Sequence, residues 1–105
     1  MAEAYKMFRS ERVLATFNFA GIVGAPYNDP LTDTPTAPAV SFDPTGGLAL
    51  IGSPALYTTT VTALIDGASG TQGTAYVVKC VAYTAAGQKL EINGQITVRN
   101  DNEVP

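Results

Sequence analysis

Apolar and polar residues alternate along much of this chain, and the alternation is cleanest towards its C-terminal end. From Gln88 to Arg99, Leu90, Ile92, Gly94, Ile96 and Val98 fall on one side. Glu91, Asn93, Gln95, Thr97 and Arg99 fall on the other. A period of two over this length marks a strand with one dry and one wet face. The stretch Thr74 to Thr84 alternates too, with Tyr76, Val78, Cys80 and Ala82 sharing a side. Ala85-Ala86-Gly87 turns the chain between them, and Gly70-Thr71-Gln72-Gly73 leads in. The pair reads as the closing hairpin of an antiparallel sandwich.

Upstream, Arg12 to Ala20 predicts a first strand, with Val13, Ala15, Phe17 and Phe19 inward and Thr16 and Asn18 outward. Ala39 to Asp43 and Leu48 to Ile51 predict short strands, the second broken by Gly52-Ser53-Pro54. Tyr57 to Asp66 predicts a longer one, with Tyr57, Thr59, Val61, Ala63 and Ile65 on one face. Its β-branched run Thr58–Thr62 favours extended chain. Between the first two strands, Gly21 to Pro38 holds Pro26, Pro30, Pro35 and Pro38 with the turn formers Asn28, Asp29 and Asp33. That composition forbids a central strand and predicts a long irregular loop, either packed on a partner or lying on the surface as an Ω-loop.

Six to seven strands joined by Gly/Pro turns, with no helical period, predict an all-β fold. The expected architecture is a single immunoglobulin-like antiparallel β-sandwich over residues 12–100. Residues 1–11 lack sustained alternation and read as an N-terminal arm, and residues 101–105 as a short C-terminal tail. The disulfide and the tryptophan of antibody domains are absent from the sequence.

A chain of 105 residues is large enough for one such core. Only 14% of residues are charged against 46% hydrophobic, which implies that part of the surface does not face water. The net charge of −3 argues against duplex DNA as a partner. No segment reads as a signal peptide or a membrane span, so the chain is expected to be made in the cytoplasm and to stay or be assembled there.

The sequence also excludes common chemistries. It contains no histidine, which removes imidazole-based triads, and one cysteine, which removes an internal disulfide and a zinc cluster. Cys80 fits a small buried residue; a reactive thiol would need a neighbouring base. Asp29 and Asp33 read either as turn residues or as weak calcium ligands. The glycine-rich run Gly67–Thr74 has no lysine and leads into a strand, whereas a phosphate loop leads into a helix. Tyr76 and Tyr83 have opposite parity and cannot form one stacking platform. No catalytic residue, metal or cofactor is assigned, and the chain is not expected to be an enzyme.

The segment Ile65-Asp66-Gly67-Ala68-Ser69-Gly70-Thr71-Gln72-Gly73-Thr74-Ala75-Tyr76, followed by Tyr83-Thr84-Ala85-Ala86-Gly87-Gln88-Lys89-Leu90-Glu91, resembles the fibre–tail adaptor family of tailed bacteriophages. The opening Ser10–Phe19 resembles the start of that family as well, an acidic residue before an alternating strand. The family's basic residue after the turn glycine is displaced here to Lys89. Gly73, Thr74, Tyr76 and Gly87 are the structural turn residues of the hairpin: Gly73 permits a positive φ, and Tyr76 covers the sandwich end while its hydroxyl reaches solvent or backbone.

The resemblance implies a structural component of a phage virion, an adaptor joining neck or tail to fibre or neighbouring proteins in many symmetric copies. It implies other virion proteins as partners, with neither nucleic acid nor membrane. The arm places Tyr5, Met7 and Phe8 among Lys6, Arg9 and Arg12, as a segment ordering on a partner would. Tyr5, Met7, Phe8, Arg9, Arg12 and Tyr27 are therefore the candidate partner contacts. The alternatives are a capsid decoration protein, or a carbohydrate- or receptor-binding module using Tyr5, Tyr27 and Tyr57.

Overall fold

The computed structural model describes residues 4–19, 30–33, 36–85 and 87–100. Eight strands and no helix run through these residues. They are β1 (Ala4–Met7), β2 (Arg12–Asn18), β3 (Leu31–Thr32), β4 (Ala39–Asp43), β5 (Ala49–Leu56), β6 (Thr60–Asp66), β7 (Ala75–Thr84) and β8 (Lys89–Val98). The larger sheet runs β1-β8-β7-β3, with β4 also on β7; the smaller runs β2-β6-β5.

Alternation puts the core between the sheets. Val61, Ala63 and Ile65 of β6, Tyr76, Val78, Cys80 and Ala82 of β7, and Ile96 and Val98 of β8 are buried, as their parity requires. Each aliphatic of this kind stabilises the fold by about 2 kcal/mol when fully buried. The β7–β8 register pairs Cys80 with Ile92 and Tyr76 with Ile96. Gly73, in the β6–β7 connection, and Gly87, in the β7–β8 turn, have φ of 81° and 94°, the left-handed region that favours glycine. At the β7–β8 turn Gly87 N–H donates to Thr84 O (2.9 Å), and Gln88 N–H donates to Thr84 Oγ1 (3.0 Å).

Several expectations are corrected. The arm is not separate from the sandwich: β1 pairs in parallel with β8, Tyr5 opposite Ile96 and Met7 opposite Val98. Met7 is 0% exposed. A tight turn then carries the chain from the larger sheet to the smaller, with Glu11 N–H donating to Phe8 O and Phe8 N–H donating to Glu11 Oε1. The sandwich is thus not purely antiparallel, and β1 and β3 raise the strand number above the expected six or seven. Gly52-Ser53-Pro54 does not end a strand; β5 passes through it as a bulge between Ile51 and Ala55. Tyr57 lies on the β5–β6 turn, its N–H donating to Thr60 O, and the strand begins at Thr60. Within the proline-rich segment, Leu31 and Thr32 pair with Thr84 and Tyr83, and Leu31 is buried. Asp29, Tyr27 and the 101–105 tail lie outside the described residues.

Candidate interaction surface

Every open sheet edge is a row of unpaired backbone donors and acceptors, and proteins usually blunt it. The β5 edge is blunted by its bulge, with Gly52 and Pro54. The β3/β4 edge is bracketed by Pro30, Pro38 and Pro44. On the other side of the larger sheet, β1 covers β8 only over Gln95–Val98. Facing it across the core is β2, the second edge of the smaller sheet. This strand has seven residues with neither proline, glycine nor bulge, and its one charge, Arg12, is at its start.

Between these two edges the sandwich is open along a cleft of about 520 Å³. Val13, Ala15 and Phe17 of β2 line one wall, and Ile92 and Ile96 of β8 the other, with Tyr5 also lining the cleft. None of the lining residues is charged. On its outward side β2 continues into an aliphatic row. Leu14 pairs with Leu64, which pairs with Ile51. Leu14 is 62% exposed. The adjoining row is Thr16, Thr62 and Ala55, and charge enters only where Arg12 stands opposite Asp66. The outward face of the larger sheet is mixed: it carries Val77, 44% exposed, with Lys79 and Glu91 4.0 Å apart, and Lys89.

The candidate contacts separate in space. Tyr5, 48% exposed, lines the cleft. Met7 is corrected: it belongs to the core and cannot meet a partner. Phe8 lies beneath the Arg99 guanidinium, 5.4 Å from ring centre to Cζ, and shares a shallow depression with Arg9, Ser10 and Ala68. Arg12 begins the open strand. Tyr57 is 60% exposed but does not line the cleft. Tyr27 lies outside the described residues.

Of the structural residues, Gly73, Thr74 and Tyr76 come together, whereas Gly87 lies at the other end of β7. Gly73 N–H donates to Val98 O (2.7 Å), and Val98 N–H donates to Thr74 O (3.0 Å). Thr71 N–H donates to the Tyr76 hydroxyl at 2.9 Å. Cys80 is fully enclosed, and desolvation pushes its thiol up to about 12, so it stays protonated and unreactive. Among the described residues no three His, Cys, Asp or Glu side chains gather as metal ligands.

Sequence reading missed Leu14, Leu64 and Ile51. The signal was present for two of them: Leu14 and Leu64 are large aliphatics at positions that the alternation of β2 and β6 assigns to the wet face. No protein-family model matches the chain, and no curated protein is significantly similar to it.

Proposed function

We propose that this chain is an immunoglobulin-like structural module of a tailed-phage virion, an adaptor that joins virion proteins in many symmetric copies. The strand connections support the immunoglobulin-like part. β7 and β8 form a hairpin in one sheet with β3/β4 on the far side of β7, as strands F, G and C do. β2, β6 and β5 form the other sheet, as strands B, E and D do. Tyr76 sits at the start of β7 with its hydroxyl bonded to backbone five residues upstream, the arrangement of a tyrosine corner. The hairpin resemblance supplies the phage context.

The observation that carries an assembly role is the mainly apolar surface around β2, an uncharged cleft on one side and an aliphatic row on the other, with charge only at Arg12 and Asp66. Exposed apolar surface of this kind marks protein contacts. Of the tyrosines that the carbohydrate reading invokes, Tyr5 lines the cleft, Tyr57 does not, and Tyr27 lies outside the described residues.

The test is antibody labelling of particles of the virus that encodes the chain, viewed by negative stain. Label at the neck, tail or fibre base is expected. Label over the shell would make it a decoration protein, and particles without label would end the virion reading.

A further inference from the structure

We infer that the bond between Asn93 and Gly94 is a latent modification site: the β7–β8 ladder masks it, parting of the hairpin opens it, and deamidation there then keeps the chain from refolding. The inference concerns the isolated chain and stands apart from the virion role, which the labelling experiment tests.

Of the asparagines in the chain, only Asn93 precedes a glycine. Gly94 has no side chain to hinder approach to its backbone nitrogen. The reaction needs no reagent but water. The Gly94 nitrogen gives up its proton to solvent and attacks Asn93 Cγ. The Cγ–Nδ2 bond breaks, ammonia leaves, and a five-membered succinimide ring closes. Water then opens the ring at either carbonyl and leaves a carboxylate at position 93, as aspartate or as isoaspartate.

The fold withholds each requirement of this chemistry. The nitrogen is engaged. At the two ends of the β7–β8 ladder, Thr84 N–H donates to Gln88 O (2.9 Å) and Val98 N–H donates to Thr74 O (3.0 Å). Bonded pairs alternate between those ends, so Gly94, opposite Val78, turns its N–H towards β7 as Val98 does. The side chain is drawn the other way: Asn93 Nδ2 donates to Glu91 Oε2 at 3.0 Å, back along the strand and away from Gly94. The backbone is extended, and closing the ring requires ψ of Asn93 to leave the strand value near about +135°. All three restraints lapse together when β8 leaves β7.

The two products differ in what they do to the fold. Isoaspartate carries the main chain through Cβ and adds an atom to it. Downstream lie Gln95 to Val98, which hold β1, and among them the buried Ile96 and Val98. The added atom moves their donors and acceptors off their partners, in a strand whose register is what sends those two side chains inward. Aspartate leaves the backbone unchanged and only adds a charge two residues from Glu91, on the exposed face. Chains with aspartate at position 93 therefore refold, and chains with isoaspartate do not.

The test is incubation of the purified chain at pH 8 and 37 °C, folded in buffer and unfolded in guanidinium chloride, with peptide mapping by mass spectrometry. The unfolded chain should convert at position 93. The folded chain should convert at least about tenfold more slowly, because it reacts only through the small fraction in which the hairpin has parted. On dilution from denaturant, isoaspartate should stay with the chains that fail to refold. Asn93→Gln, at an exposed position, would have to close a six-membered ring and should keep its refolding yield through the same incubation. Equal rates in the folded and unfolded chain overturn the masking. Isoaspartate in refolded chains, or an Asn93→Gln variant that loses refolding yield as fast as the native chain, overturns the rest.

Discussion

The Tyr76 hydroxyl accepts a 2.9 Å hydrogen bond from the backbone N–H of Thr71, and the ring that carries it is 2% exposed. The side chain thereby ties the turn before β7 to the strand itself. Its ring also lies against Gly47, where a Cβ would overlap the hydroxyl and the adjoining ring carbons. One aromatic thus holds two adjoining turns, β4–β5 and β6–β7, each of which links the two sheets.

Three substitutions separate these roles. Tyr76→Phe keeps the packing and loses one hydrogen bond to an exposed turn, a cost of about 1 kcal/mol. Tyr76→Ala removes a large buried aromatic and should cost about 4 kcal/mol. Gly47→Ala forces the ring to move and should cost about 2 kcal/mol, as overpacking does. Urea titrations check the order. A Gly47→Ala variant as stable as the native chain would show that the ring does not need that contact.

Met7 is fully buried, and β1 is bonded to β8 through its register and through Arg99 N–H donating to Met7 O at 2.7 Å. Met7→Ala should cost about 3 kcal/mol. Removing Met1 to Phe8 loses the side chain and the strand together, and should lower the melting temperature by roughly 10 °C or more. Lys6→Ala, on the outward side of the same strand opposite Thr97, should shift stability by less than about 0.5 kcal/mol. A truncated chain that melts with the native one would place β1 outside the cooperative fold.

What the sequence made legible follows from where the physics is local. β6, β7 and β8 are long, half-buried strands, so parity alone assigns Val61, Ile65, Tyr76, Cys80 and Val98 to the core. β1 is four residues long; its Tyr5/Met7 alternation is too short to stand out, and its partner lies some ninety residues away. β3 is two residues following Pro30, held by a non-local pairing with β7 that composition argues against. Gly52 and Pro54 signal a broken strand or a bulge equally well, and only the β5–β6 register decides. The interaction surface has the same limit. Leu14, Leu64 and Ile51 come from three strands and become one row only when the registers are known.

The Lys79–Glu91 pair illustrates an interaction that should not matter. Its charged atoms are 4.0 Å apart, the side chains are 49% and 44% exposed, and Glu91 also accepts from Asn93 Nδ2. Solvent screening leaves such a pair a few tenths of a kcal/mol. Lys79→Ala and Glu91→Ala should each change stability by less than about 0.5 kcal/mol, with little dependence on salt. A loss above about 1 kcal/mol in either variant would mean that the pair anchors the outward face of the hairpin.

Burial of Cys80 should make the fold lose stability at alkaline pH. Burial raises its thiol from 9.0 to about 12, because a thiolate at that site would lose its hydration with no compensating charge. Below pH 9 the thiol is protonated in both folded and unfolded chains, and its contribution is constant. Between pH 9 and about 12 the unfolded chain releases the proton while the folded chain retains it, so stability falls as pH rises, by up to about 1.4 kcal/mol per unit. The comparison is with Cys80→Ala, which isolates the thiol. That variant starts less stable, having lost a buried side chain, but should decline less steeply above pH 9. Urea midpoints measured at pH 7, 9 and 10.5 for both proteins give the two slopes. Parallel slopes would mean that Cys80 ionises in the folded chain as readily as in the unfolded one, and a thiol reagent would then label the native protein quickly at pH 9.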